Sequence, residues 1–108
     1  MNYSKTTKLV GVSFGDAQKN IKQFGCKDIM TYALIREPDN PYDSNAIQVS
    51  LFGIWFMGYV PKSIAEDLAP IMDADRRFLA YFVRRNESPY HKTVGMTVMI
   101  VETTENQI

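Results

Sequence analysis

Residues 36–49 have the sequence REPDNPYDSNAIQV, and this stretch decides how the rest of the chain can be arranged. Pro38 and Pro41 stiffen it, because proline fixes φ and donates no backbone hydrogen bond. The asparagine, aspartate and serine side chains around them can bond nearby backbone groups. The pattern predicts a structured loop that joins two strands and holds Tyr42 and Asp43 outward in one fixed pose.

The segments on both sides of this loop have the composition of strands. Residues 28–37 are rich in β-favouring apolar side chains, and residues 46–51 alternate between apolar and polar positions. A tight turn leads from them into residues 54–60, which are apolar on both faces. We therefore expect 54–60 to be a central strand covered on both sides, with Trp55 and Phe56 in the core.

Helical spacing of apolar residues predicts two helices. The first follows Asp16, which is a suitable N-cap, and ends at Gly25. The second follows Pro61, where Ser63 and Glu66 match the S-x-x-E pattern of a capping box.

Three more strands are predicted at residues 6–12, 78–83 and 94–101, and a polar connection over 84–93 joins the last two. The order is strand, helix, strand, hairpin, helix, strand, strand. The predicted fold is mainly β with two α-helices, arranged as a small OB-like or SH3-like antiparallel β-barrel. We expect a single domain over residues 1–108, with a core of about 6–102 and a flexible tail over 103–108.

Charge and cysteine content narrow the function classes. Twelve basic and twelve acidic residues give a net charge of zero, so positive charge for binding nucleic acid must be local. Cys26 is the only cysteine, which excludes an internal disulfide and fits a reducing compartment. The sequence has no apolar run of about 18 residues and no signal-peptide pattern. We expect a cytoplasmic protein that does not contact membranes and is nucleoid-associated if it binds DNA.

The predicted loop suits an exposed nucleotide at a strand end. A rigid ring such as that of Tyr42 can stack on a base, which contributes about 1–3 kcal/mol. The carboxylate of Asp43 would repel a phosphate but can accept a hydrogen bond from a sugar hydroxyl. Lys62, at the start of the second helix, can pair with a phosphate, and the helix N-terminus adds partial positive charge.

The loop, together with the later segment Gly58-Tyr-Val-Pro-Lys62, resembles the signature of the HIRAN family. The order of elements also agrees with that family from about Lys8 to Val101. HIRAN domains are small OB-like barrels, and a eukaryotic member binds the 3′ end of single-stranded DNA. The resemblance implies a module that recognises single-stranded DNA or 3′ DNA ends, in DNA repair or replication-fork processing.

The resemblance also implies roles for individual residues. Tyr42 and Asp43 match the tyrosine and aspartate that hold the terminal nucleotide and its hydroxyl, and Asn40 matches the asparagine beside them. Lys62 matches a lysine that contacts phosphate. Phe14 falls where the family has a base-stacking tyrosine.

Two positions depart from the family pattern. Ser13 stands in place of an arginine and Tyr59 in place of a histidine, and both changes remove a phosphate partner. Basic residues of the 84–92 segment, including His91, can compensate from a facing loop. Tyr90 in the same segment falls near an aromatic residue in the late loop of the family. The predicted nucleic-acid-binding residues are Tyr42, Asp43, Asn40, Phe14, Lys62, Tyr59, Tyr90, Arg84, Arg85 and Lys92.

Several of these residues have an alternative, purely structural interpretation. On this interpretation Tyr42 is a half-buried lid on the barrel, Asp43 is only a turn former, and Phe14 is a core residue. The expected loop scaffold pairs Arg36 with Glu37 or a loop acid and bonds the Asn45 side chain to the loop backbone. The predicted scaffold residues are Arg36, Pro38, Pro41 and Asn45.

Two other function classes stay open. A protein-interaction module on the same barrel predicts an exposed apolar patch around Phe14, Tyr59 and Tyr90. A divalent-metal nuclease would have to use acidic residues of one short loop, Glu37, Asp39 and Asp43. One histidine and one cysteine make no usual zinc site, and phosphate-loop and nucleophile-elbow motifs are absent from the sequence. We therefore expect neither catalysis, nor a bound metal, nor a small-molecule cofactor.

Overall fold

The computed structural model describes residues 3–103, which form six strands and two helices in the predicted order. The fold is mainly β, as predicted. The elements are β1 (Ser4–Lys8), α1 (Ala17–Phe24), β2 (Thr31–Arg36), β3 (Ile47–Leu51), β4 (Trp55–Tyr59), α2 (Lys62–Asp73), β5 (Arg77–Ser88) and β6 (His91–Thr103).

The six strands form one antiparallel sheet with the order β1-β6-β5-β2-β3-β4. The sheet curls into an OB-like half-barrel, because the chain just after β1 also reaches β4. There Val10 and Tyr59 exchange two backbone hydrogen bonds of 2.8 Å each. Gly58 permits this approach: its φ is +150°, and a Cβ on it would lie only 2.9 Å from the carbonyl oxygen of Val10.

The core fills the inside of the curved sheet. Ile21 of α1 and Leu68 of α2 are fully buried against Met57 and Ile100 from strands at different places in the sheet. Tyr32 of β2 is also buried. Burial of such apolar side chains is the main stabilising contribution to a domain of this size.

Polar side chains of α1 attach that helix and the segment before it to the sheet. Gln18 Nε2 donates hydrogen bonds of 2.8 Å to the carbonyl oxygens of both Val12 and Val94. Asn20 Nδ2 donates to the carbonyl oxygen of Phe56 at 2.9 Å. The helix ends at Gly25, as predicted. These bonds hold the chain between β1 and α1 in place beside β4.

Two strand predictions were wrong in detail. The first strand covers Ser4–Lys8, not 6–12, and beyond it only Val10 makes a strand-like pair. The strand predicted to be central, β4, lies at an end of the strand order. Trp55 and Phe56 are half-buried and not fully inside the core, and the ring of Trp55 packs on Phe24 of α1 with centroids 4.9 Å apart.

The polar connection predicted over 84–93 was also wrong. Most of it is strand, because β5 and β6 continue as a long hairpin that turns at Pro89–Tyr90. Both faces of this extension meet solvent, so polar residues can alternate there without an apolar side, and the usual strand pattern is missing. Thr103 belongs to β6, and the rest of the predicted tail, 104–108, lies outside the described residues.

The predicted capping box does not form. The N-cap of α2 is Pro61, and no side chain caps the helix. The carbonyl oxygen of Pro61 accepts from the backbone N–H groups of Ile64 and Ala65 at 3.0 and 2.9 Å. Ser63 is therefore already inside the first turn, so it cannot act as the N-cap partner of Glu66.

Candidate nucleic-acid interface

A cleft of about 730 Å³ opens where the loop between β2 and β3 faces the chain after β1 and the start of α2. It brings together six of the residues predicted to bind nucleic acid. Its wall is mostly apolar. The lining residues are Val10, Gly11, Phe14, Asn40, Pro41, Tyr42, Asp43, Ala46, Tyr59, Val60 and Lys62.

The loop wall of the cleft has its pose set by hydrogen bonds to its own backbone. Asn40 Oδ1 accepts from the backbone N–H groups of Tyr42 and Asp43 at 2.9 and 3.1 Å. Asp43 Oδ1 accepts from the backbone N–H of Asn45 at 2.9 Å, and its carbonyl oxygen accepts from Ala46 at 3.0 Å. The loop is structured, as predicted. The bond at Asn45 is made by its main chain rather than by its side chain.

Tyr42 is 94% exposed at the tip of this loop. The alternative of a half-buried lid is therefore wrong, because a lid would bury its ring against the barrel. Asp43 beside it is half-buried, and one carboxylate oxygen is engaged by Asn45. The loop thus displays a free aromatic face next to an acceptor that can take a hydrogen bond.

Phe14 forms part of the opposite wall and is 60% exposed, so it is not a core residue. Its ring packs on Gly11, whose φ of +64° places this tight turn in the left-handed region. A Cβ built at Gly11 would lie 3.0 Å from Phe14 Cδ2 and 3.1 Å from Tyr59 Cδ2. Gly11 therefore lets both rings approach the backbone closely at the cleft wall.

Tyr59 contributes a ring to the cleft and a hydroxyl to a half-buried hydrogen-bond network. Its ring packs edge-on against Phe56, with centroids 5.2 Å apart. Its hydroxyl donates to Glu37 Oε1 at 2.9 Å. Burial and the bond to the Glu37 carboxylate both raise the pKa of Tyr59, so the hydroxyl stays protonated at neutral pH.

Glu37 is a residue of the site whose role the sequence analysis missed. Its carboxylate accepts three hydrogen bonds, from Asn40, Gln48 and Tyr59. Burial by itself raises the pKa of Glu37, but the three donors outweigh that effect and hold the pKa below its usual value. Sequence spacing does not indicate the network, because its donors come from three separate elements.

Lys62 supplies positive charge to the cleft. It is exposed at the first position of α2, where backbone N–H groups have no partner within the helix. No carboxylate of residues 3–103 forms an ion pair with it. Its charge and the positive end of the α2 dipole therefore act on the same region.

Arg36 belongs to the scaffold, but its predicted partner was wrong. It pairs with Asp73 at the end of α2, with Nε and Nη2 at 2.9 and 3.1 Å from the two carboxylate oxygens. Its Nη1 donates to the carbonyl oxygen of Ala46 at 2.9 Å. The hydrogen bond from Arg36 lowers the pKa of Asp73. The side chain thus connects the end of the loop to α2.

The basic residues predicted to face the cleft from the 84–92 segment lie elsewhere. Tyr90, His91 and Lys92 line a second cleft of about 600 Å³, together with Lys8 and Val12. The segment cannot flank the first cleft as a loop, because it is the paired end of the β5–β6 hairpin. The protein-interaction hypothesis predicted one apolar patch around Phe14, Tyr59 and Tyr90. This patch does not form, because Tyr90 lines a different cleft from the other two residues.

Arg84 and Arg85 line neither cleft. Arg84 is exposed on β5. The guanidinium of Arg85 is 2.7 Å from Glu87 and donates to the carbonyl oxygen of Lys22 in the last turn of α1 at 3.0 Å. These contacts engage Arg85 away from the first cleft.

Within residues 3–103 no three His, Cys, Asp or Glu side chains are grouped closely enough to hold a metal ion. The loop acids Glu37, Asp39 and Asp43 are thus not gathered around a common point. In the same part of the chain, neither helix has the length and apolar character needed to cross a membrane.

The family model of the HIRAN domain matches residues 3–103. The chain belongs to the HIRAN family. A second match, 54% identical over 41 residues, is to the helicase-like transcription factor of Oryctolagus cuniculus. That segment is 38% of this chain and 4% of the relative, so the HIRAN chain corresponds to a small part of that protein.

Two solved structures share the fold. One is a protein from Lactobacillus plantarum, with a TM-score of 0.73 and 22% identity, and the match covers 94% of this chain and 97% of that one. The other is the HIRAN domain of human HLTF, with a TM-score of 0.64 and 23% identity over 92% and 74% of the two chains. Family membership supports a DNA-binding module in general.

Proposed function

We propose that this HIRAN domain binds the terminal nucleotide of single-stranded DNA, with a preference for a free 3′ end, in the cleft beside Tyr42. The observation that carries the proposal is the pose of this residue. Its ring is almost fully exposed, although its backbone is tied down by Asn40. Because the loop is already ordered before binding, the entropy cost of binding is lower. The ring can therefore stack on a base with little further loss of conformational entropy.

The wall opposite Tyr42 supports this assignment. Phe14 offers a second exposed ring, and the two rings line the same cleft. Aromatic side chains bind bases of any sequence, because every base has a π-face. We infer that the terminal base is held by the rings of Tyr42 and Phe14.

Charge in the cleft favours a strand end over the middle of a strand. Asp43 would repel a phosphate but accepts a hydrogen bond from a terminal hydroxyl, whereas Lys62 attracts the phosphate on the other side of the sugar. With few phosphates neutralised, affinity should fall only shallowly with salt. The proposal places the protein in the cytoplasm, in repair or replication-fork processing, where free 3′ ends arise.

The second cleft extends the proposal to the remaining predicted residues. Tyr90 and Lys92 can contact nucleotides further along the strand, because residues 8–14 contribute to the walls of both clefts. Arg84 and Arg85 lie outside both clefts. We therefore expect them to contribute less than Lys62 to binding.

Fluorescence anisotropy with short oligonucleotides tests the proposal. We expect the wild-type protein to bind a 3′-hydroxyl end more tightly than the same strand with a 3′ phosphate. Tyr42→Ala should weaken binding about 5- to 150-fold, which corresponds to the loss of one stacked base. An RNA oligonucleotide of the same sequence shows whether the 2′-hydroxyl matters.

Phe52→Ala is the matched control, because Phe52 is also an exposed aromatic but lies at the turn between β3 and β4, away from the cleft. It should bind like the wild type. Equal, weak binding of both ends, with no effect of Tyr42→Ala, would contradict end recognition.

The second candidate function is a protein-interaction module. It is favoured by the exposed apolar side chains of Phe52 and Ile54 at the β3–β4 turn. That function predicts no salt-dependent binding of DNA, so the same titration separates the two candidates.

A further inference from the structure

The carboxylate of Glu37 joins the two walls of the cleft and the strand between them. Its Oε1 accepts from Asn40 Nδ2 and from the Tyr59 hydroxyl, each at 2.9 Å. Its Oε2 accepts from Gln48 Nε2 at 2.6 Å. Asn40 belongs to the loop, Gln48 to β3 and Tyr59 to β4, so one side chain connects three elements.

The carboxylate also decides which way the amide of Asn40 points. An ionised carboxylate can only accept hydrogen bonds, so the Asn40 amino group must face Glu37. The amide oxygen then faces the other way, toward the backbone N–H groups of Tyr42 and Asp43. The side chain at position 37 thereby affects the backbone of Tyr42 and Asp43 at the tip of the loop, through the orientation of the Asn40 amide.

The same carboxylate determines what Tyr59 can offer to DNA. A tyrosine hydroxyl has a single hydrogen to donate, and here it is used in the bond to Glu37. While that bond holds, the hydroxyl cannot donate to a phosphate. Tyr59 is left with its ring, which faces the cleft next to Gly11.

We propose that Glu37 is a positioning residue whose carboxylate sets the pose of Tyr42 and Asp43. It acts through the amide of Asn40. It also holds the hydroxyl of Tyr59, so that this residue contributes an aromatic wall and not a phosphate donor. The consequence for DNA binding rests on the proposed function, but the pose of the loop can be measured without DNA.

Amide hydrogen exchange by NMR on the free protein measures the pose. Glu37→Ala should raise exchange of the Tyr42 and Asp43 N–H groups about tenfold, the equivalent of one lost charge-assisted hydrogen bond. Amides of the β5–β6 hairpin should keep their protection, which shows that the domain remains folded. Asp39→Ala is the control, since it removes a negative charge from the same loop without touching the network.

Glu37→Asp provides a milder test if the alanine variant does not fold. Its carboxylate is one methylene shorter and cannot reach all three donors, so exchange at Tyr42 and Asp43 should still rise. The exchanged pair Glu37→Gln with Gln48→Glu should restore protection. In that variant the amide oxygen at 37 can accept from Asn40 and Tyr59, and its amino group can donate to the carboxylate at 48.

Affinity for a 3′-hydroxyl oligonucleotide is then measured on the same variants. We expect Glu37→Ala to lose about tenfold and the exchanged pair to stay within about threefold of wild type. Unchanged exchange at Tyr42 and Asp43 in both single variants would overturn the positioning role. Raised exchange with unchanged DNA affinity would uphold the positioning role and contradict the proposed function.

Discussion

Gly11 lies between the rings of Phe14 and Tyr59, so substituting it tests the geometry of the cleft wall directly. In Gly11→Ala the new methyl group would sit 3.0 Å from Phe14 Cδ2 and 3.1 Å from Tyr59 Cδ2, so at least one ring must shift. The φ of +64° adds a second penalty, because L-residues avoid the left-handed region. Gly15→Ala is the matched control: its φ is +50°, but its nearest neighbour, Phe56 Cδ2, is 4.0 Å away.

The magnitudes follow from these two effects. The left-handed backbone costs about 1–2 kcal/mol for a non-glycine residue, partly offset by the lower entropy of the unfolded chain. Gly15→Ala should therefore lose about 1 kcal/mol of unfolding free energy. Gly11→Ala should lose about 1 kcal/mol more from overpacking, at the low end of the usual range because Phe14 is exposed enough to move.

Urea denaturation followed by circular dichroism gives the two free energies, and anisotropy with a 3′-hydroxyl oligonucleotide gives the affinities. Because Gly11→Ala displaces a stacking ring, it should weaken binding about tenfold, whereas Gly15→Ala should change binding less than about twofold. If both variants lost the same stability within about 0.5 kcal/mol and bound DNA equally, the packing of Phe14 and Tyr59 on Gly11 would be refuted.

Two further predictions concern the core. Ser50 Oγ is buried without a hydrogen-bond partner among residues 3–103. Ser50→Ala should therefore leave the free energy of unfolding in urea denaturation unchanged or raise it by up to about 1 kcal/mol. A loss of about 1 kcal/mol would instead show that the hydroxyl has a partner. Tyr32 is buried, donates to the carbonyl oxygen of Phe24 at 2.6 Å, and has its pKa raised to about 12, chiefly by burial. The neutral Tyr32 side chain is favoured in the folded state, whereas in the unfolded chain it ionises near pH 10. Its contribution to the free energy of unfolding is therefore complete below pH 10 and is lost as the pH rises toward about 12. Tyr32→Phe should lose about 1 kcal/mol at pH 7 and show a shallower decline between pH 10 and 12, and an unchanged decline would contradict this assignment.

Much of the local structure could be predicted from sequence patterns. The helix that ends at Gly25, the hairpin of β3 and β4, and the structured loop between Arg36 and Ala46 all lie where the patterns place them. Each depends on neighbours in the chain: proline restricts its own φ and the residue before it, and glycine ends a helix. The exposed pose of Tyr42 follows from the same local bonding.

Predictions failed at positions where the surrounding tertiary structure, and not the local sequence pattern, determines the position or pairing of a segment. The apolar strand β4 was predicted to be central but lies at an end of the strand order. The prediction failed because apolar content indicates that a strand is covered, without saying whether a strand or a helix covers it. The polar residues 84–93 are mostly paired strand, since strands exposed on both faces carry no apolar alternation. His91 and Lys92 consequently line a second cleft and do not face Lys62, and Arg84 and Arg85 line neither cleft.

The sequence by itself therefore determined the family, the order of elements and the loop that carries Tyr42 and Asp43, because these depend on short-range backbone preferences and on a contiguous motif. Only the tertiary structure decided that Glu37 joins Asn40 to Tyr59, and that Arg36 pairs with Asp73. Polar side chains have many partners of suitable chemistry along the chain. Which of them lies within hydrogen-bond distance is set by the curvature of the sheet and by the packing of the helices against it.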